Sequence, residues 1–340
     1  QLASVALFAL AVSCAGPPPR AVLTVLIVGL VANSVITILQ AEHQAWIGLT
    51  ILREFRFSPT TPGVSVILAG DWRYARPYGL LPHPNLLAGS LLIGVLAAAT
   101  WVLSARRWRR FAGITAVGLG FWALLLTFSR AAWGGLVVGG LIALVSLRPF
   151  VQIRALRRSL IAALAVVVII GGLFFAAYQP LLLARVGVGA EATEIRSVVD
   201  RVIYTELALQ AIGESPVLGV GLGNFPQVAD DYLAETSFDL RGDQVHNVLL
   251  AAWAELGVIG LVLLLTALIS GVVVALRHLR QTDHLADRAA RIGLLAGVGA
   301  LFAVGWFDHY PWTILHFQIA WWGLLAAALQ PPSSAATLNR

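Results

Sequence analysis

Thr127-Phe128-Ser129-Arg130 interrupts an apolar run that extends from about residue 111 to 147. As one helix those 37 residues would reach about 55 Å at 1.5 Å per residue, against a hydrocarbon core of about 30 Å. The run must therefore turn near its middle, and Arg130 sits at that turn. A charge at that depth costs several kcal/mol unless it is paired or hydrated. Either the side chain snorkels to the headgroups, or its guanidinium faces a cavity and takes an anion. Phosphate suits the second use, because the planar fork donates two parallel hydrogen bonds.

His246-Asn247 opens another long apolar run, 248–276, with Glu255 two turns in. An imidazole at a cavity mouth can move protons near neutrality; elsewhere a lone His is a structural hydrogen-bonder. Glu255 reads as a structural partner for an Arg. Arg201 lies in an amphipathic stretch, 191–212, that Gly213 and Pro216 end. A salt bridge to a neighbouring acid accounts for it equally well. His83-Pro84-Asn85 reads first as a helix start, with Pro in the first turn. Asp308-His309-Tyr310-Pro311 forms a tight turn that either lines the same cavity or caps it.

Two other patterns carry less. Gly219-Val220-Gly221-Leu222-Gly223 looks like a phosphate loop but lacks the flanking strand and helix such a loop needs. Asp230, Asp231, Glu235, Asp239 and Asp243 could hold a divalent cation, but a solvated acidic loop is the better reading of them. No metal or other cofactor is expected.

The elements that position these residues follow from composition. The chain has 340 residues, 59% hydrophobic and 12% charged, where a soluble domain carries about 25% charge. A water-soluble enzyme is thereby disfavoured. Its one cysteine, Cys14, lies in an apolar run and excludes a disulfide scaffold. Nine apolar stretches are long enough to be candidate spans: about 1–16, 20–41, 84–103, 111–129, 131–147, 159–178, 248–276, 292–309 and 311–330. The expected fold is an all-α polytopic transmembrane bundle.

All 23 basic residues are Arg. Fourteen of them, from Arg20 through Arg106, Arg107, Arg109 and Arg110 to Arg340, share one side with only Asp283 and Asp287. The positive-inside rule makes that side cytoplasmic. The basic pI therefore reports topology; no soluble domain clusters the basic residues as nucleic-acid binding would need. Two long segments face outward. One, 42–83, has a short hairpin strand expected at 64–68; the other is the acidic loop 179–247. We expect one membrane domain over 1–340 with 179–247 inserted in it. The sequence lacks Met, and nine crossings place Gln1 outside. An N-terminal truncation that removed an odd number of spans is therefore expected.

In order and sidedness these motifs resemble the O-antigen ligase and polymerase superfamily of bacterial membrane proteins. The matching pieces are Arg76-Pro-Tyr-Gly-Leu-Leu-Pro-His-Pro-Asn85, Thr127-Phe-Ser-Arg-Ala-Ala132 and Arg201 in its loop helix. They continue with Pro216-Val-Leu-Gly-Val-Gly-Leu-Gly-Asn-Phe225, His246-Asn247 and Glu255-Leu-Gly-Val-Ile-Gly260. The resemblance covers about residues 70–312. It implies a membrane glycosyltransferase, inverting and metal-independent, in an all-helical bundle of about a dozen spans when complete. Such an enzyme moves a glycan from a polyprenyl-diphosphate carrier to a glycan or lipid-linked acceptor on the outer face of the bacterial cytoplasmic membrane. It implies catalytic roles for Arg130, Arg201 and His246. Substrate contacts are expected from Arg130, Arg201, Asn247, His83, Asn85 and Arg76, with Glu255, Asp308 and His309 in support. Ligase and polymerase share these motifs. A transporter of small solutes such as inorganic carbon is the rival class, but neither matching halves nor abundant intramembrane acids speak for it. A non-catalytic scaffold is the third.

Overall fold

The computed structural model describes residues 2–103, 107–148, 152–185, 192–234 and 243–332. Of the residues named above, Gln1, Arg106, Arg340, Glu235 and Asp239 lie outside them. The protein is about 75% helical. The chain begins with α1 (Leu2–Ala15) and α2 (Pro19–His43), then a hairpin of β1 (Val66–Ala69) and β2 (Trp72–Ala75). Next come α3 (Pro84–Trp101), α4 (Arg107–Leu126), α5 (Arg130–Leu147) and α6 (Arg154–Arg185). The loop helices α7 (Ala192–Glu214) and α8 (Phe225–Ala234) follow. The chain ends with α9 (Val248–Arg280), α10 (Leu285–Val304), α11 (Tyr310–Thr313) and α12 (Leu315–Leu329).

Among the described residues six helices, α2 to α6 and α9, are long and apolar enough to cross a membrane. Nine spans were expected. Three of the nine miss that measure for visible reasons. Helices α1 and α12 have 14 and 15 residues, and α10 carries Asp287, Arg288 and Arg291 in its first two turns. The span expected at 159–178 continues as helix to Arg185, past Pro180, with a kink at Tyr178. The span expected from 311 is broken into α11 and α12 at Ile314.

Helix α3 is the centre. Leu87, Leu91, Leu92 and Ala98 are fully buried, because α2, α4, α5 and α10 surround them. Helices α6 and α9 do the opposite: Val168, Ile169, Leu173, Val262, Leu263 and Ile269 are exposed. Apolar faces of that extent suit lipid, not water. Helices α5 and α10 approach closely because Gly135 and Gly139 present no side chain. A Cβ on Gly139 would lie 2.6 Å from Leu96 Cδ1 and 2.9 Å from the Ala296 carbonyl oxygen. This small-xxx-small spacing is a common membrane packing device. It fixes the start of α5, hence Arg130, against the end of α10.

The two long segments between the apolar helices are more structured than the sequence suggests. The strand expected at 64–68 is one arm of the hairpin, with Val66 paired to Ala75 and Ala69 to Trp72. The amphipathic helix is α7, and α8 was not anticipated. Helix α9 is kinked at Gly257, whose φ is +67°. The segment after α7 closes the gap there. Val258 N–H donates to the Pro216 carbonyl (2.9 Å), Val220 N–H to that of Ala254 (2.9 Å) and Gly221 N–H to that of Glu255 (3.0 Å). The glycine-rich stretch is therefore a backbone splint for a broken helix, which satisfies groups that a kink in lipid would otherwise leave unpaired. A methyl group on Gly257 would overlap the Val217 carbonyl.

Candidate active site

A cavity of about 800 Å³ opens where α5 starts, α6 ends and α7 passes. Arg130, Arg185 and Arg201 all line it, with Asn85, Glu206 and Phe307. Arg130 is placed by the turn between α4 and α5. Phe128 adopts φ of +50° there, a left-handed conformation that costs a non-glycine residue about 1–2 kcal/mol. Its ring is fully buried among Tyr74, Trp133, Phe174 and Tyr178, which holds the turn in place. Arg130 Nη1 donates to the Arg185 carbonyl (2.6 Å), and Arg185 Nη2 donates back to the Phe128 carbonyl (3.1 Å). Each guanidinium is thus latched to a backbone carbonyl on the other side of the α5–α6 contact. Like charges lining one cavity are unfavourable alone and favourable around a polyanion. Arg130 is half-buried on a cavity wall.

Arg185 was not singled out from the sequence, because Pro180 hid the helix that carries it. Arg201 Nε is buried without a hydrogen-bond partner.

Beside the cavity stands a second cluster. His246, Asp308 and His309 each bring a potential ligand or proton-transfer atom within 4.8 Å of the others. The His246 and His309 rings meet edge to face at 5.1 Å. His246 Nδ1 is buried with no hydrogen-bond partner among the described residues. Burial lowers its pKa below the ordinary 6.5; His309 and Arg201 push the same way, while Asp308 and Asp243 pull it back up. The imidazole is therefore neutral at pH 7, as a proton acceptor must be. The influence of Arg201 on His246 also shows that the arginine wall and the histidine are electrostatic neighbours.

Asp308 is held from two sides. Its Oδ2 accepts from Asn85 Nδ2 (2.8 Å) and its Oδ1 from the His309 N–H (2.9 Å). Asn85 Oδ1 in turn accepts from Arg76 Nη2 (2.7 Å). Arg76 also donates through Nε to the Thr127 carbonyl (2.6 Å) and through Nη1 to Ser65 Oγ (3.0 Å). One buried guanidinium therefore ties the hairpin, the α4–α5 turn and, through Asn85, the α10–α11 turn together. A substrate contact was expected of Arg76; its buried position makes it a positioning residue in our reading. Arg76→Ala should cost roughly 2–4 kcal/mol, since hydrogen bonds to a charged group are lost in the interior. A lowered thermal unfolding midpoint, with transfer activity falling alongside, checks this.

Three further expected site residues turn out to hold structure. Asn247 caps α9, its Oδ1 accepting from the Leu249 (2.9 Å) and Leu250 (3.0 Å) N–H groups. His83 caps α3 through Nδ1 and the Asn85 N–H (3.1 Å). Glu255 was expected to pair with an Arg. Instead it accepts from Gln244 Nε2 (2.7 Å) and Trp312 Nε1 (3.0 Å), which ties the strand before His246 to α11. Of the acidic-loop residues, Asp230, Asp231 and Asp243 are exposed.

Fold and site together define an integral membrane protein with an arginine-lined cavity at one end of its helices. The O-antigen ligase family profile matches residues 115–265, and that match supports an O-antigen ligase-like family for this chain. The matched segment contains Arg130, Arg185, Arg201, His246 and Glu255. The similarity to that family extends over 151 of the chain's 340 residues. No curated protein matches it.

Proposed function

We propose that this protein transfers a glycan from a polyprenyl-diphosphate carrier to an acceptor hydroxyl, at the outer face of the bacterial inner membrane, as an O-antigen ligase. One observation carries the reading: Arg130, Arg185 and Arg201 line one cavity beside the unpartnered Nδ1 of His246. The acceptor oxygen attacks the anomeric carbon and its proton passes to His246. The bond from that carbon to the diphosphate oxygen breaks, and the electron pair leaves with the diphosphate. The arginines stabilise the charge that builds there, in a site where water is partly excluded. Attack opposite the leaving group inverts the anomeric centre. Asp308 lies beside His246, favours its protonated form and so lowers the cost of taking the proton.

The rate should fall on the acid side as His246 takes up a proton. Because its pKa is lowered, that limb is centred below pH 6.5. A pH profile of kcat/KM checks this; a limb centred above 6.5 contradicts it.

The reading itself is tested with carriers that differ by one phosphate. A polyprenyl-diphosphate glycan should react and the monophosphate glycan should not, since three arginines are arranged for more charge than one phosphate brings. A single addition to the acceptor, seen by mass, marks a ligase; a ladder of repeats marks a polymerase. EDTA should leave turnover unchanged. Loss with EDTA, restored by a divalent ion, would reassign His246, Asp308 and His309 as metal ligands.

A further inference from the structure

A second basic pocket, of about 490 Å³, lies at the opposite end of the bundle. Helices α3 and α10 start or end at the candidate site with His83 and Asp308, and their other ends border this pocket. About 30 Å of helix separates the two. Arg20, Thr24, Thr100, Trp101, Trp108 and Arg109 line it. We propose that it binds the phosphate of an anionic phospholipid headgroup in the Arg-rich leaflet.

Arg20 is neutralised within the pocket. Its Nε pairs with Asp287, and its Nη2 lies 2.6 Å from His284 Nδ1. Arg109 carries the net charge. Its guanidinium carbon stands 5.9 Å from the Trp101 ring and 5.3 Å from the Trp108 ring. The two indoles are nearly perpendicular, at 87°, and so box the cation on two sides. Arg109 Nε is buried and has no hydrogen-bond partner among the described residues. A boxed guanidinium with a buried donor to spare is arranged for an acceptor that the protein itself does not supply. A phosphate is the acceptor whose charge and geometry match.

The surroundings argue for a lipid source. Trp at a helix end marks the depth of the headgroups. Helices α2, α4 and α10 all begin beside the pocket, which adds the positive ends of three helix dipoles. Val25 and Val28 on α2, and Phe111 on α4, are exposed within about one turn of the lining residues. An acyl chain attached to the bound phosphate has apolar surface to follow.

Native mass spectrometry of the whole purified protein tests this, after exchange into detergent with equal phosphatidylglycerol and phosphatidylcholine. Phosphatidylglycerol should be retained preferentially. Arg109→Ala and Arg109→Gln should each cut that retention about fivefold, the usual effect of one basic residue near anionic lipid. Arg157→Ala, an exposed arginine elsewhere, should leave it unchanged. Unfolding midpoints confirm that the variants are folded; if one is not, the other decides. Equal retention of both lipids, or full retention in folded Arg109 variants, overturns the proposal. So does millimolar inorganic phosphate displacing the lipid completely, which would mark a pocket for a soluble anion.

Discussion

Replacing His246 by alanine should lower glycan transfer by about 10²–10⁴-fold, the usual worth of a positioned general base, while leaving the fold intact. His246 Nδ1 has no protein partner to lose. Its ring packs against His309 edge to face, but Glu255, Gln244 and Trp312 hold the surrounding segment independently of it. The loss should fall on kcat, with KM for the donor little changed, because the donor's diphosphate is bound by the arginines. His246→Gln should behave like the alanine variant, since an amide fills space and hydrogen-bonds but does not take the proton. A variant that folds and turns over normally removes His246 from the mechanism.

The arginine wall gives the second large effect. Arg130→Lys should lower kcat about 10²–10³-fold, the range for removing one donor to a developing oxyanion. Charge is conserved in that change, so the loss measures geometry: lysine is a point charge without the paired donors. The latch to the Arg185 carbonyl is lost as well. Arg201→Ala should fall in the same range. Combining the two should cost less than the product of the single losses, since groups that act on one leaving group are not additive. If Arg130→Lys changed only the unfolding midpoint, the residue would be structural.

The sequence exposed the parts of this site that break a local rule. Arg130 was legible because an apolar run was too long for one crossing and carried a charge at its middle. The structure puts the break one residue before Ser129, at Phe128. The amphipathic helix of Arg201 showed in its periodicity and in Gly213 and Pro216. What stayed hidden depends on partners far away in the chain. Arg76 reaches Thr127, and Asn85 reaches Asp308 across 223 positions. The kink at Gly257 is made by the Pro216–Gly221 segment, so an apolar stretch with three glycines read as unbroken helix. Arg185 was lost because a helix passes Pro180 with a bend at Tyr178. Asn247 was read as a substrate contact through the resemblance, although an Asn directly before an apolar helix is also cap chemistry.

The central claim is that the arginine cavity serves transfer from a diphosphate carrier. The most direct test reconstitutes the purified protein with a labelled polyprenyl-diphosphate glycan and an acceptor, and follows both halves of the donor. The account predicts that free polyprenyl diphosphate and glycosylated acceptor appear together in equal amounts, and that neither appears with Arg130→Lys. Uptake of a solute by the same proteoliposomes, with the labelled donor left intact, would contradict it.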